Sequence, residues 1–298
     1  ESVSKTLEYA YDDYCIAQAA RALGKEDYDY FLRRSLSYRN LIDPETKFMR
    51  GRDSQGRWRT PFTPVAYQGP GSVHGWGDIT EGFTLQYTWY VPHDVAGHID
   101  RVGRRLYETR LDSLFVTELP DDIPGAHDIQ GRIGAYWHGN EPCHHVTYLY
   151  DWFGQPWKCQ KWVRYIADNF YGNEPGSLSG NDDCGQMSAW YIFSSLGFYP
   201  VCPGSNQFAL TAPQFPKAVV RLANGRTLTV TANNPRRNTY IASVTLDGVP
   251  VTENFITYEQ LMQGGELHFT LRQRPDFTRG TEAAAEPYSL TRGQVVSI

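Results

Sequence analysis

The sequence predicts an α+β protein of more than one domain, helical up to about residue 200 and built of strands after it. Three observations carry this expectation. Before Pro200, apolar residues recur at helical spacing in several segments; Pro200 itself follows an apolar run containing Gly197; beyond it, β-branched segments alternate, with Asn224-Gly225 between two of them. The 298 residues have room for one large domain or two ordinary ones. The expected division is 1–200 for helical hairpins and 201–298 for a β module.

From Ser2 to Leu23, the residues Leu7, Ala10, Tyr11, Tyr14 and Ala17 share a helical face, and Gly24 closes the helix. A second helix is expected from about Asp27, carrying Tyr28, Phe31, Leu32, Leu36 and Tyr38, and the short link makes the two an antiparallel hairpin. Asp43 to Gly77 is a long irregular stretch rich in Gly, Pro, Arg and aromatic residues, a length of loop that is usually functional. Glu81 then opens EGFTLQYTWYVPHD, whose periodicity is ambiguous and whose neighbours favour helix. Val95 to Phe115 is expected to be another helix, with Ile99, Val102, Leu106, Leu111 and Leu114 on one face.

Pro120 to Gly125 breaks the chain. Asn140-Glu141-Pro142 precedes an apolar run from Val146 to Phe153, and Pro156 opens a helix to about Tyr171. The run from Trp190 is expected to be a buried helix that stops at Gly197 and Pro200, with Asn181, Asp182 or Asp183 capping its entrance. Strands are expected around 208–210, 218–222, 227–231, 240–246 and 267–271. Asn224-Gly225 signals a hairpin and Asp247-Gly248 a turn. With no helix between most strands, an antiparallel sheet or sandwich is preferred over a parallel one.

The net charge of −5 comes without any Lys/Arg block, so nothing recruits nucleic acid or an anionic membrane surface. No apolar run approaches the roughly 20 residues of a membrane span, and no signal peptide is visible. The chain begins with Glu, from which an excised or processed segment of something longer is expected. The five cysteines Cys15, Cys143, Cys159, Cys184 and Cys202 are widely spaced without zinc-ligand patterns, and are expected to be mostly free or structural. Eight Trp and 20 Tyr suit stacking on sugar rings, although aromatic cores give the same count.

Glu81, Asn140-Glu141 and Asp182-Asp183 all lie at loop-to-helix junctions. Along a series of helical hairpins such junctions can open on one end of a toroid and so gather around one pocket. Two carboxylates about 6.5–9.5 Å apart can hydrolyse a glycosidic bond with inversion, one protonating the leaving oxygen and the other activating water. Glu81, with Phe83 and Trp89 as apolar neighbours, is the candidate acid, because such surroundings raise a carboxyl pKa. The ordinary alternatives are a first-turn glutamate at Glu81 and helix caps at Asp182-Asp183. Asn140, Glu141 and nearby carbonyls offer hard oxygen ligands suited to calcium, though without an Asp-x-Asp-x-Asp loop. His138, His144 and His145 lack the spacing of a two-histidine zinc motif, and a satisfied or sugar-binding histidine is the default there.

EGFTLQYTWYVPHD, AYWHGNEPCHHVTYLYDW and GNDDCGQMSAWYIFSSLGFYPVCPG, in this order, resemble the C-terminal half of the calcium-dependent exo-α-mannosidases of glycoside hydrolase family 92, as does the opening SVSKTLEYAYDDYCIAQ. The resemblance implies part of an (α/α)6 toroid followed by an antiparallel β-sandwich-like module, without the family's N-terminal β-sandwich domain, which would be a partner within the same polypeptide. It implies an inverting exo-α-mannosidase that acts on mannose-containing oligosaccharides, with α-1,2 linkages of N-glycans or mannan as the expected substrate and Ca2+ holding the sugar's O2 and O3. Glu81 would be the general acid and Asp183 the base, with Asp182 as its alternate or partner. Asn140 and Glu141 would serve the metal, and His138, Glu141 and Asn181 the sugar. Leaving-group contacts would come from the Asp43 to Gly77 loop, and the family's habit implies a bacterial periplasmic, cell-surface or secreted location. The alternative is a non-catalytic carbohydrate-binding protein of the same fold.

Overall fold

The computed structural model of the chain describes residues 2–69, 77–126 and 130–292. Helices and sheets are mixed, and the chain divides into two compact units, Glu1–Cys143 with Ser289–Ile298, and His144–Tyr288.

The first unit begins with α1 (Ser2–Ala22), which buries Val3, Leu7, Ala10, Tyr14 and Ala17 along one stripe. Gly24, at φ 62°, ends it. Helix α2 (Tyr28–Arg34) packs back along α1 as the hairpin reading expects, continues into a 3-10 turn at Ser35–Leu41, and is tied across by Arg34 Nε to Asp13 Oδ2 at 3.0 Å. The long stretch that follows is pinched by antiparallel bridges Ile42↔Met49 and Arg52↔Trp58. Arg50 crosses it, donating to Asp43 Oδ2 at 2.9 Å and twice to the Arg59 carbonyl at 2.9 and 2.6 Å. Residues 70–76 of this expected loop lie outside the described residues.

Two helix expectations need correction. Within Glu81 to Asp94, only Thr84–Tyr87 is helical (α3). The single helix expected over Val95 to Phe115 is two, α4 (Val95–Val102) and α5 (Arg104–Leu114). Between them Gly103 has φ 96°, outside any right-handed helix, so the glycine's backbone freedom outweighs the apolar periodicity on either side.

Asp94 caps α4 through Gly97 N at 3.3 Å and is fully buried. Its Oδ1 also accepts from Ser289 Oγ (2.9 Å), Thr291 N (3.0 Å) and Thr291 Oγ1 (2.7 Å), and Oδ2 accepts from Tyr38 OH (2.8 Å) with Arg39 Nη2 at 3.5 Å. Burial alone would raise this carboxyl, but the hydrogen bonds from Thr291, Tyr38 and Ser289 prevail and hold it below the usual range. The strands β1 (Arg132–Ile133) and β2 (Tyr136–Trp137) form a small hairpin. The Trp137 ring meets Phe83 edge-on at 5.0 Å.

The second unit opens with a 3-10 run at Val146–Phe153, closed by Gly154 at φ 65°, and α6 (Pro156–Asn169) starts at its proline. Helix α7 (Gln186–Leu196) ends at Gly197, φ 95°, as its sequence predicts. Then come β3 (Phe198–Tyr199), β4 (Gln207–Leu210), β5 (Lys217–Arg221), β6 (Thr227–Ala232), β7 (Tyr240–Leu246), β8 (Val249–Pro250), β9 (Phe255–Thr257), α8 (Tyr258–Met262) and β10 (Gly265–Arg272). The larger sheet has the order β5-β6-β10-β7-β8 and the smaller β3-β4-β9. Asn224-Gly225 joins β5 to β6, and Asp247-Gly248, both at positive φ, joins β7 to β8.

The larger sheet is not purely antiparallel. β10 is antiparallel to β7 and parallel to β6. It inserts between two strands that run in opposite directions, and a strand so placed must be parallel to one of them. Leu228 and Val230 of β6, Ile241 and Val244 of β7 and Leu267 and Phe269 of β10 meet Phe198, Leu210 and Ile256 of the smaller sheet in one apolar core. Each such fully buried side chain contributes about 1.5–3 kcal/mol of burial.

Candidate active site

Glu81 sits in a turn that α1 and the preceding loop hold in place. The α1 amides of Val3 and Ser4 donate to the Asp78 carbonyl at 2.9 and 3.1 Å, so the turn satisfies the helix's orphan donors. Ser2 Oγ and Arg59 Nη1 bind Asp78 Oδ1 at 2.8 and 3.1 Å, and Thr80 N donates to Ser4 Oγ at 3.1 Å. Gln68 pairs with Gly82 by both backbone bonds, at 2.7 and 3.0 Å. Between these fixings Glu81 adopts φ 49°, a left-handed conformation that disfavours a side chain by about 1–2 kcal/mol. Its carboxyl is exposed and makes no ion pair among the described residues. The expected apolar surroundings are absent there: Phe83 and Trp89 are buried, turned onto Trp137 and Tyr107 respectively.

Asn140 reaches this turn from the β1-β2 hairpin, its Nδ2 donating to the Glu81 carbonyl at 2.6 Å. That bond commits the nitrogen and leaves Oδ1 as the ligating end. Glu141 follows at the start of a 3-10 turn, Glu141–Cys143. His138 is fully buried, with Nδ1 2.9 Å from Tyr136 OH. Burial pushes the Cys143 thiol up to about 12, which leaves it inert as a nucleophile.

In the second unit, Asn181, Asp182 and Asp183 precede α7. Asp183 (φ 42°), Cys184 (φ 59°) and Gly185 (φ 89°) are three consecutive left-handed residues, closed by Gly185 N to Asp182 O at 3.1 Å and Gln186 N to Asp183 O at 3.2 Å. The N-cap position of α7 is Gly185, and Asp182 reaches past it into the first turn: Oδ1 takes Ser188 N at 2.9 Å and Oδ2 takes Ser188 Oγ at 3.0 Å, the service a capping side chain performs. Asp183 and Asn181 are exposed, and their side chains have no hydrogen bond among the described residues.

Thus Glu81 and Asn140 are brought together in one unit, and Asn181, Asp182 and Asp183 in the other. Three polar residues escaped the sequence reading. Gln68 holds the Glu81 turn, and Gln186 bonds both His144 Nδ1 (3.0 Å) and Tyr199 OH (3.2 Å), which assigns the acceptor role to that imidazole nitrogen. Tyr171 stacks on Trp190 and Tyr191 at 5.8 and 4.8 Å. The one visible signal is the glutamine at the first position of α7. The first unit also lines a cavity of about 250 Å3, whose walls include Val3, Arg50, Arg59, Gln68, Gly77 and Asp78.

For a hard cation the donors Asn140 Oδ1 and Glu141 carboxylate are of the right kind, two of the six to eight oxygens calcium takes. Among the described residues no group of three or more His, Cys, Asp or Glu is gathered to hold a metal, so the remaining oxygens would be carbonyls, water and ligand hydroxyls. None of the five cysteines is in a disulfide among the described residues, and no helix there is long and apolar enough to cross a membrane.

Residues 1–273 match the model of the glycosyl hydrolase family 92 catalytic domain. The structure of a family GH92 α-mannosidase from Bacteroides thetaiotaomicron, in complex with mannoimidazole, is similar at 63% identity and a TM-score of 0.94, covering 96% of this chain and 38% of that one. A family GH92 inverting mannosidase from Bacteroides thetaiotaomicron VPI-5482 is similar at 38% identity and a TM-score of 0.83, covering 97% of this chain and 40% of that one. A curated protein from Arthroderma benhamiae, described as an uncharacterized secreted glycosidase, is 30% identical over an alignment of 320 positions that covers 98% of this chain and 38% of that protein's length. The chain therefore spans about two fifths of the relatives it matches.

Proposed function

The chain belongs to glycosyl hydrolase family 92, and on that premise we propose that it is part of an exo-acting, inverting α-mannosidase. The observation that carries this is the pair of exposed carboxylates, Glu81 and Asp183, each on a left-handed turn of a residue that is not glycine. Strained backbone persists where the surroundings over-determine it, and it concentrates at functional sites. In this reading Glu81 gives its proton to the glycosidic oxygen as that bond breaks. Asp183 takes a proton from the water that attacks C1 on the opposite face, and the product is β-mannose. Asp182, occupied as the cap of α7, supports Asp183 rather than replacing it. His138, Glu141 and Asn181 bind the terminal sugar, and Asn140 and Glu141 hold Ca2+, which when bound would polarise the sugar's hydroxyls.

The finer points belong to the same proposal: helical hairpins of residues 1–200 as part of an (α/α)6 toroid, residues 201–298 as a β-sandwich-like module, and α-1,2-linked mannose of N-glycans or mannan as substrate. A location outside the cytoplasm, in the periplasm, at the cell surface or secreted, is supported by the secreted relative. The test is proton NMR of the full-length protein acting on α-1,2-mannobiose, with calcium and then with chelator. Calcium-dependent release of β-mannose is expected. First-formed α-mannose would overturn the roles of Glu81 and Asp183, calcium-independent turnover would remove the metal, and sugar binding without turnover would favour a carbohydrate-binding protein.

A further inference from the structure

A left-handed glutamate does not hold itself in place, and the bonds on either side of Glu81 converge on one side chain and its own backbone. The Gln68 amide donates to Gly82 O and the Gln68 carbonyl accepts from Gly82 N, which fixes the residue after Glu81. Its side-chain Oε1 accepts from Asp78 N at 2.5 Å and Ile79 N at 3.2 Å, which fixes the residues before it. Asn140 holds only the carbonyl of Glu81 itself.

The packing is built around this grip. A Cβ at Gly77 would collide with Gln68 Oε1, and one at Gly69, which lies at φ 144°, would stand 3.2 Å from the Glu81 Cα and N. Gln68 is partly exposed beside the 250 Å3 cavity, so its amide lies at the edge of open space rather than in the apolar core.

We infer that Gln68 is a positioning residue for the general acid, its backbone and Oε1 together clamping residues 78–82 so that Glu81 is presented in its left-handed conformation. This rests on the reading of Glu81 as that acid. Chemically, position 68 needs an oxygen that can accept two amides at once. Glutamine and glutamate qualify; methionine, of similar length, does not. A misplaced acid hurts only the substrates whose leaving group needs the proton, and a displacement of the order of 1 Å can reduce rate about 100-fold.

The experiment compares kcat and KM of the full-length enzyme on mannobiose and on a dinitrophenyl α-mannoside, for Gln68→Met, Gln68→Glu, Gly77→Ala and Glu81→Gln. Gln68→Met is expected to lower kcat on mannobiose by about 10- to 100-fold with KM little changed, and to spare the activated substrate. Gly77→Ala, which dislodges the same amide from the other side, should reproduce that split even if Gln68→Met does not fold. Gln68→Glu should stay near wild type. Equal losses on both substrates, or a Gln68→Glu variant as damaged as Gln68→Met, would make Gln68 merely structural and overturn the inference. If Glu81→Gln shows the leaving-group split and the Gln68 and Gly77 variants do not, the inference alone fails. If Glu81→Gln itself shows no split, the acid reading falls and takes the inference with it.

Discussion

At Glu81 the turn is held from elsewhere in the chain: Asn140, 59 residues later, takes its carbonyl, and Gln68 takes the residues on either side. At Asp183 every bond that closes the turn lies within residues 182–188, through the Asp182 and Asp183 carbonyls and the Asp182 carboxylate on Ser188. Both turns hold a left-handed acidic residue with an exposed side chain. The difference shows that the same local strain can be sustained by a self-contained helix entrance or by an assembly of remote pieces. The first arises wherever α7 forms. The second exists only once α1, the 43–69 loop and the β1-β2 hairpin have come together.

The largest effect that tests this contrast is on chemistry. Asp183→Asn should lower kcat on both poor and activated mannosides by about 10³-fold or more, because water must be deprotonated whatever the leaving group. If Asp182→Asn does this instead, with Asp183→Asn near wild type, the assignment of cap and base is reversed. Next, Glu81→Gln should cost about 10²- to 10³-fold on mannobiose and little on a dinitrophenyl mannoside. Asn140→Ala removes one remote support and also a proposed calcium ligand; at saturating calcium it should lower mannobiose turnover by about 10-fold, read as kcat rather than KM. An unchanged kcat would mean that the bond from Asn140 is dispensable to the acid.

Smaller effects fall on stability. Asp182→Ala should destabilise the protein by about 1 kcal/mol, as loss of an N-cap does, and Asp182→Asn by less, since an amide oxygen can still accept from Ser188. Chemical denaturation would measure both. Asp183→Gly should be inactive yet gain about 0.5–1 kcal/mol, because glycine relaxes the left-handed strain at no steric penalty. A loss of stability there would show that the side chain, and not the backbone, sets that turn.

This contrast also explains what could be read from the sequence. The α7 entrance was legible because capping is local chemistry: an Asp followed by an apolar run that ends in Gly197 specifies its own ends. Asn224-Gly225, Asp247-Gly248 and Pro156 were legible for the same reason. Which of the two aspartates caps was not, since either carboxylate could reach the same amides in an extended chain. Gly103 was outvoted by the periodicity around it, although its φ of 96° decides the break. The parallel pairing of β6 and β10 depends on where a strand inserts after an excursion through three others, which no window of sequence contains. The Gln68 clamp joins residues across a gap in the chain that carries no pattern at all.

The capping of α4 has a consequence in time. Three of the hydrogen bonds on the buried Asp94 come from Ser289 and Thr291, which follow the whole second unit in the chain. While the polypeptide is being made, the first unit emerges about 145 residues ahead of those donors, at a synthesis rate of about 5–20 residues per second. For that interval, seconds to tens of seconds long, a carboxylate destined for burial lacks three of its hydrogen bonds and should keep its surroundings loose and hydrated. Completion of the first unit therefore waits for nearly the last described residue, and a released chain truncated before Ser289 should leave Asp94 and α4 more accessible to proteolysis than the full chain.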